Sequence, residues 1–267
     1  MKSDSFIAGL ARRVVPEKLL LALRRSFLSW QVTSGKAQRE NVMAGLPSLV
    51  QAGDVVADLG ANIGIYAMEL SRLVGPQGRV FSVEPLLENF RILAKVVRSK
   101  RLSNVHLQRA AVGARPGRQE MVIPKAVGFF GGFYTAHLVR GGDEGLIEVV
   151  EMVRLDDLHN GHGTARFDFV RADVPGAELQ AIEGGASVLA SRPGVLLGVS
   201  RRNGADIFKA MKSLGYRAFL YTNRFEEILQ RSDSRAYLYF FLHPESRCWQ
   251  MAQNAGLLST AELASAS

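Results

Sequence analysis

Apolar positions along this chain come in two kinds, short continuous runs and stretches at helical spacing. Residues 55–57, Val-Val-Ala, form a short apolar run that ends at Asp58. Two glycines follow, Gly60 and Gly64, with Asn62 between them. Beyond them Ile63, Ala67, Leu70, Leu73 and Val74 recur at the spacing of one helix face. The pattern predicts a buried strand, a tight turn and a helix start. A second run, 79–83, ends at Glu84-Pro85, and 87–100 reads as a helix with Phe90, Leu93, Ala94 and Val97 at core spacing. Residues 104–112 are expected as a third strand and 167–173 as a fourth, followed by a helix over 177–190. A fifth strand is expected over 195–200, a helix over 207–214 closing at Gly215, and aromatic-rich strands over 216–221 and 236–243. Short strands at 120–123 and 148–153 could pair with each other. Strands that alternate with helices in this way predict an α/β fold built on a doubly wound, mostly parallel sheet.

Two helices are expected ahead of the first strand, over 16–31 and 37–49. In the first, Leu20, Leu23, Phe27 and Trp30 fall on one face, which is expected to dock on the sheet or to form a substrate wall. Lys18, Arg24 and Arg25 fall off that face, so the alternative is a basic amphipathic helix in peripheral contact with a membrane. The chain therefore divides into an N-terminal helical extension, 1–50, one α/β domain, 51–245, and a C-terminal tail, 246–267. Within the domain, 125–146 holds six glycines beside Phe129, Phe130, Phe133 and Tyr134. Glycine at that density disfavours a packed element, and the aromatics suggest a substrate lid.

Composition narrows the classes. With 267 residues and 47% hydrophobic content, one sizeable core is expected. The net charge of +8 is spread along the chain in short clusters such as Arg12-Arg13 and Arg201-Arg202. No basic run is interleaved with aromatics, so nucleic acid is not an expected partner. The single cysteine, Cys248, allows no intrachain disulfide, and a reducing, cytoplasmic location is expected. No apolar run approaches the roughly 20 residues a spanning helix needs.

The turn carries the chemistry. A dinucleotide site wants G-x-G-x-x-G, so that backbone can approach a pyrophosphate. Here the glycines are Gly60 and Gly64, and Asp58 stands just before them. A carboxylate there repels a pyrophosphate and attracts an ammonium, such as the methionine end of S-adenosylmethionine. Glu84 ends the second strand, where an acid about 20 residues past the turn takes ribose hydroxyls. Asp173, ending the fourth strand, comes to the same sheet edge and is the candidate base or acceptor-orienting group. For each of the three acids the plainer alternative is a helix cap. A dehydrogenase using NAD is disfavoured by the missing middle glycine.

The stretch DLGANIGIYAMELSRLVGPQGRVFSVEP resembles the cofactor half of a class I methyltransferase, and its GANIG-Tyr form with VEP is similar to the FkbM family. A second block agrees in part: Leu155-Asp-Asp-Leu158, then residues 167–179 around Asp173, then residues 193–197. The resemblance implies a Rossmann-like fold and S-adenosylmethionine as cofactor. Asp58, Gly60, Asn62, Gly64, Glu84 and, on the adenine side, Ala111 would bind it. It also implies O-methylation of a small-molecule or glycan hydroxyl; that no metal takes part is expected instead from the loss of two acids at the sheet edge, at Pro175 and Gly198. Two departures stand out. Pro175 replaces the acid of the family's Val-Glu-Gly, and Gly198 replaces an acid that ends the fifth strand. Arg171 stands where the family favours lysine. A chain that binds cofactor but no longer transfers methyl is the alternative these departures raise.

Overall fold

The computed structural model describes residues 16–37, 40–124, 137–138, 145–158, 166–229 and 237–259. In chain order the elements are α1 (Glu17–Thr33), a 3-10 helix (Asn41–Ser48), β1 (Val55–Leu59), α2 (Ile65–Val74), β2 (Arg79–Val83), α3 (Leu87–Ser99) and β3 (Val105–Gln108). Next come β4 (Ala111–Val112), β5 (Gly117–Pro124), β6 (His137–Leu138), β7 (Gly145–Val153) and, after a 3-10 turn, β8 (Phe169–Ala172). The remainder is α4 (Glu178–Glu183), α5 (Ala186–Ala190), β9 (Gly194–Gly198), α6 (Gly204–Ser213), β10 (Arg217–Tyr221), β11 (Phe225–Ile228), β12 (Leu238–Leu242), α7 (Arg247–Asn254) and β13 (Leu258–Ser259).

The main sheet runs β13-β11-β10-β12-β9-β8-β1-β2-β3. Its β9-β8-β1-β2-β3 half is parallel, and β12 joins β9 antiparallel. The chain winds outward from β1 to β3 and returns to lay β8 on the other side of β1. That makes β1 and β8 the switch point, where the carboxyl ends of the strands leave a crevice. Core strands are buried on both faces: Ala57 and Leu59 pack into one apolar cluster and Val56 into another. A second sheet, β4-β7-β5-β6, stands apart from the first. In it the expected pairing holds, with Glu120 opposite Val149 and Met121 opposite Glu148.

Several expectations change. The strand expected over 104–112 is divided: β3 pairs with β2, while β4 leaves to pair with β7 in the second sheet. The helix expected over 177–190 is two short helices divided at Gly184-Gly185, and Gly184 approaches the Gly113 carbonyl so closely that a Cβ would lie 2.1 Å from its oxygen. The segment over 37–49 is a 3-10 helix from Asn41, with Pro47 inside it. Beyond residue 245, where a tail was expected, α7 buries Cys248 and Ala252, and Arg247 pairs with Asp54 at 2.6 Å. Of the expected lid, only 137–138 and 145–146 are among the described residues.

The inward face of α1 also differs. Leu28 and Val32 pack on Ile63, Ile92 and Val96, and Arg24 is buried with them. Leu23, Phe27 and Trp30, expected inward, are exposed. Leucines and aromatics line both sides of this helix, so periodicity alone does not choose between them. No helix among the described residues is long and apolar enough to cross a membrane.

Candidate active site

At the end of β1 the chain turns through three left-handed residues: Gly60 at φ 74°, Asn62 at 52° and Gly64 at 95°. Asparagine tolerates that region better than most side chains. Gly60 is required for a second reason: a Cβ there would lie 2.1 Å from the Asp173 carbonyl oxygen. Gly64 caps α2, and a Cβ on it would meet Leu93 Cδ1 at 2.9 Å. The turn is tied to β2 by the Gly60 and Ala61 amides, both donating to the Val83 carbonyl at 2.9 Å.

Glu84 holds the next part of the turn. Its Oε2 accepts from the Asn62 amide at 2.9 Å, and its Oε1 accepts from the Leu86 amide at 3.0 Å. Burial pushes its carboxyl up to about 7, against the pull of those amides. Burial likewise pushes Asp58 up to about 6, against the attraction of Arg171. The folded chain therefore keeps protons that the unfolded chain, with ordinary values of 4.5 and 3.8, has already released. These two groups thus make stability fall as pH rises from about 4 to about 7. Glu84→Gln removes one such proton site. Thermal unfolding of that variant should lose less melting temperature across this window than the wild type does, and an equally steep fall would refute the assignment.

Asp58 and Arg171 are register partners in adjacent parallel strands, so their side chains lie on the same sheet face. Arg171 Nη1 is 3.3 Å from Asp58 Oδ1 and donates to the Gly60 carbonyl at 2.8 Å. Its Nη2 donates to Asp173 Oδ2 at 3.0 Å, and its guanidinium lies 4.1 Å from the Tyr66 ring centroid. A lysine would not span these partners with one fork. Asp173 is raised above the ordinary carboxylate range by burial, with Arg171 pulling the other way.

Two cavities meet at this point. The first is lined by Gly60, Asn62, Glu84, Ala111, Met121 and Asp173. The second, about 890 Å³, is lined by Lys36, Glu40, Asn62, Tyr66, Asp173 and Tyr237, among others. Asn62 and Asp173 belong to both. Of the residues singled out in the sequence, Gly60, Asn62, Glu84, Ala111 and Asp173 thus come together. Asp58 lines neither cavity and faces Arg171 instead, and Gly64 acts in the packing of α2 on α3.

Glu40, Tyr66 and Tyr237 were not expected as site residues. The hydroxyls of both tyrosines donate to Glu40, one to each carboxylate oxygen. Burial raises both phenols, so they stay protonated donors rather than bases. Tyr66 belongs to the GANIG-Tyr stretch and was visible there, whereas Glu40 and Tyr237 lie outside every recognisable motif. Gly198 has a local reason. A Cβ on it would lie 2.8 Å from Asp173 Oδ1, so the space left by the missing acid is taken by Asp173.

Residues 58–218, more than half of the chain, match the family model described as the methyltransferase FkbM domain. Among solved structures, methyltransferase FkbM from Methylobacillus flagellatus KT matches at 13% identity and a TM-score of 0.48, over 82% of this chain and 59% of that one. A SAM-dependent O-methyltransferase from Thermotoga maritima matches at 15% identity and 0.46, over 81% and 71%. Aeropyrum pernix fibrillarin, with natively bound S-adenosyl-L-methionine, matches at 16% and 0.42, over 80% and 73%. The chain thus spans about 59% of the length of the Methylobacillus protein. No curated protein matches it significantly. The family match, laid over the turn at Gly60 and the acids around it, sets aside the dehydrogenase alternative, and the chain belongs to the FkbM family of S-adenosylmethionine-dependent methyltransferases.

Proposed function

We propose that this chain methylates a hydroxyl of a sugar or secondary metabolite held in the wider cavity, with Asp173 receiving the hydroxyl proton. The residues around the narrower cavity fit the cofactor. Glu84 keeps lone pairs for ribose hydroxyls beyond those its two amide bonds use. Asn62 Oδ1 is buried without a hydrogen-bond partner among the described residues, and the cofactor's ammonium is a donor that could supply one. The close approach of Gly60 to β8 keeps side-chain bulk out of the turn. When bound, S-adenosylmethionine supplies an electrophilic methyl on a sulfonium.

The single observation that carries the proposal is that Asp173 lines both cavities. Burial raises this carboxyl above its ordinary value, against the pull of Arg171, and so makes it a stronger proton acceptor than an exposed aspartate. Arg171 fixes Oδ2, while Oδ1 lies against the backbone of Gly198, where a Cβ would come within 2.8 Å of it. Glu40, Tyr66, Tyr237, Lys36 and Asn62 give the wider cavity a polar lining suited to a polyhydroxylated acceptor. The test is transfer of labelled methyl to a panel of sugars, glycosides and phenolic metabolites. The expected product is an alkali-stable methyl ether. Binding of S-adenosylhomocysteine with no hydroxyl methylated across the panel would favour the reading in which the chain binds cofactor without transferring methyl. A methylated amine or carbon would overturn the O-methyl assignment.

A further inference from the structure

On α1 the side opposite the packed one carries Leu19, Leu23, Phe27 and Trp30, exposed by 51, 56, 44 and 48%. They recur at i, i+4, i+8 and i+11, one narrow stripe on an α-helix. Phe27 and Trp30 lie with ring centroids 6.1 Å apart. An apolar stripe of this kind on a surface helix marks an interaction site. Helix α3, packed alongside, bears Arg91, Lys95 and Arg98 on its exposed side. Lys95 Nζ donates to Ser26 Oγ at 3.0 Å, which ties the basic ridge to the edge of the stripe. Lys18 is exposed on α1, and Lys36 Nζ lies 4.6 Å from the Trp30 ring centroid. The one acid of α3, Glu88, is buried and bonded to Arg91.

We propose that this face docks on an anionic membrane surface, with the stripe entering the headgroup boundary and the basic ridge meeting lipid phosphates. The charge pattern selects this occupant. Leucine and aromatic side chains beside lysine and arginine suit an anionic interface. Two copies of this chain meeting through the stripe would bring two basic ridges together, at a cost. The docking stands apart from the methyl-transfer reading. It does place the acceptor cavity close by, since Gln31 and Lys36, at the end of the stripe, line that cavity.

The experiment is flotation of the full chain with vesicles of phosphatidylcholine mixed with phosphatidylglycerol, against pure phosphatidylcholine. Binding is expected to the anionic vesicles, weakening with salt. Phe27→Ser should reduce it roughly tenfold or more, as loss of a buried aromatic implies. Lys95→Glu with Arg98→Glu should reduce it on anionic vesicles, with the thermal melt unchanged. Failure of the wild type to float would overturn the proposal, as would equal flotation by Phe27→Ser. A dimer in light scattering that Phe27→Ser dissociates, without vesicle binding, would instead assign the face to a second copy.

Discussion

Asp173→Asn is expected to slow methyl transfer by roughly 10²–10⁴-fold, the usual range for a positioned general base. Binding of S-adenosylhomocysteine should be nearly unchanged. Asparagine keeps the shape, and its amide oxygen can still accept from Arg171 Nη2. It cannot take a proton from an acceptor hydroxyl. Arg171 also keeps its contact with Asp58, and Asp58 becomes easier to ionise once the neighbouring charge of Asp173 is gone. The guanidinium is therefore not stranded. The plainer alternative, a helix cap, has no support in the geometry: α4 begins after Ala177 with no side-chain cap, and the Asp173 carboxylate goes to Arg171. Steady-state rates paired with titration calorimetry read both halves of the expectation. Full activity in a folded variant would reduce Asp173 to a partner that merely orients Arg171.

Gly60→Ala should cost more than any other single methyl added in this turn. Alanine in the left-handed region costs roughly 1–2 kcal/mol. A Cβ 2.1 Å from the Asp173 carbonyl oxygen must also push β8 and the turn apart, and both sides of that contact are backbone. Overpacking of this kind adds roughly 1–3 kcal/mol. The shift would also disturb the Arg171 bond to the Gly60 carbonyl. We expect a stability loss of roughly 3 kcal/mol or more, together with loss of cofactor binding. Gly53→Ala is the control, since Gly53 has φ 91° and nothing within 4 Å of its would-be Cβ. That variant should show the backbone cost alone. Denaturant unfolding of the two separates strain from collision, and equal losses would mean the approach to Asp173 carries no weight.

The first half of the site was legible because its demands are local. A turn that needs positive φ and close backbone approach calls for glycine at fixed spacing, and Gly60 and Gly64 announce it in the sequence. Acids that end strands β2 and β8 are equally visible, and parallel winding brings Glu84 and Asp173 to one edge. The family resemblance rested on the same residues.

What only the tertiary structure decided are relations across distance. Arg171 answers Asp58 because β1 and β8 pair in a register that sets the two opposite each other, and no local pattern encodes register between strands so far apart. Glu40 meets Tyr66 and Tyr237 because a 3-10 helix before β1 and the approach to β12 converge on one cavity. Gly198 looked like a lost acid and extra room, but Asp173 Oδ1 stands where its side chain would begin. On α1, where apolar residues line two sides, the packing of Leu28 and Val32 on α3 settled which side faces inward. The sequence alone determined the turn, the strand-ending acids and the α/β order, since each follows from backbone conformation and hydrophobic period. The structure decided which side chains face each other, because that depends on how separate elements dock.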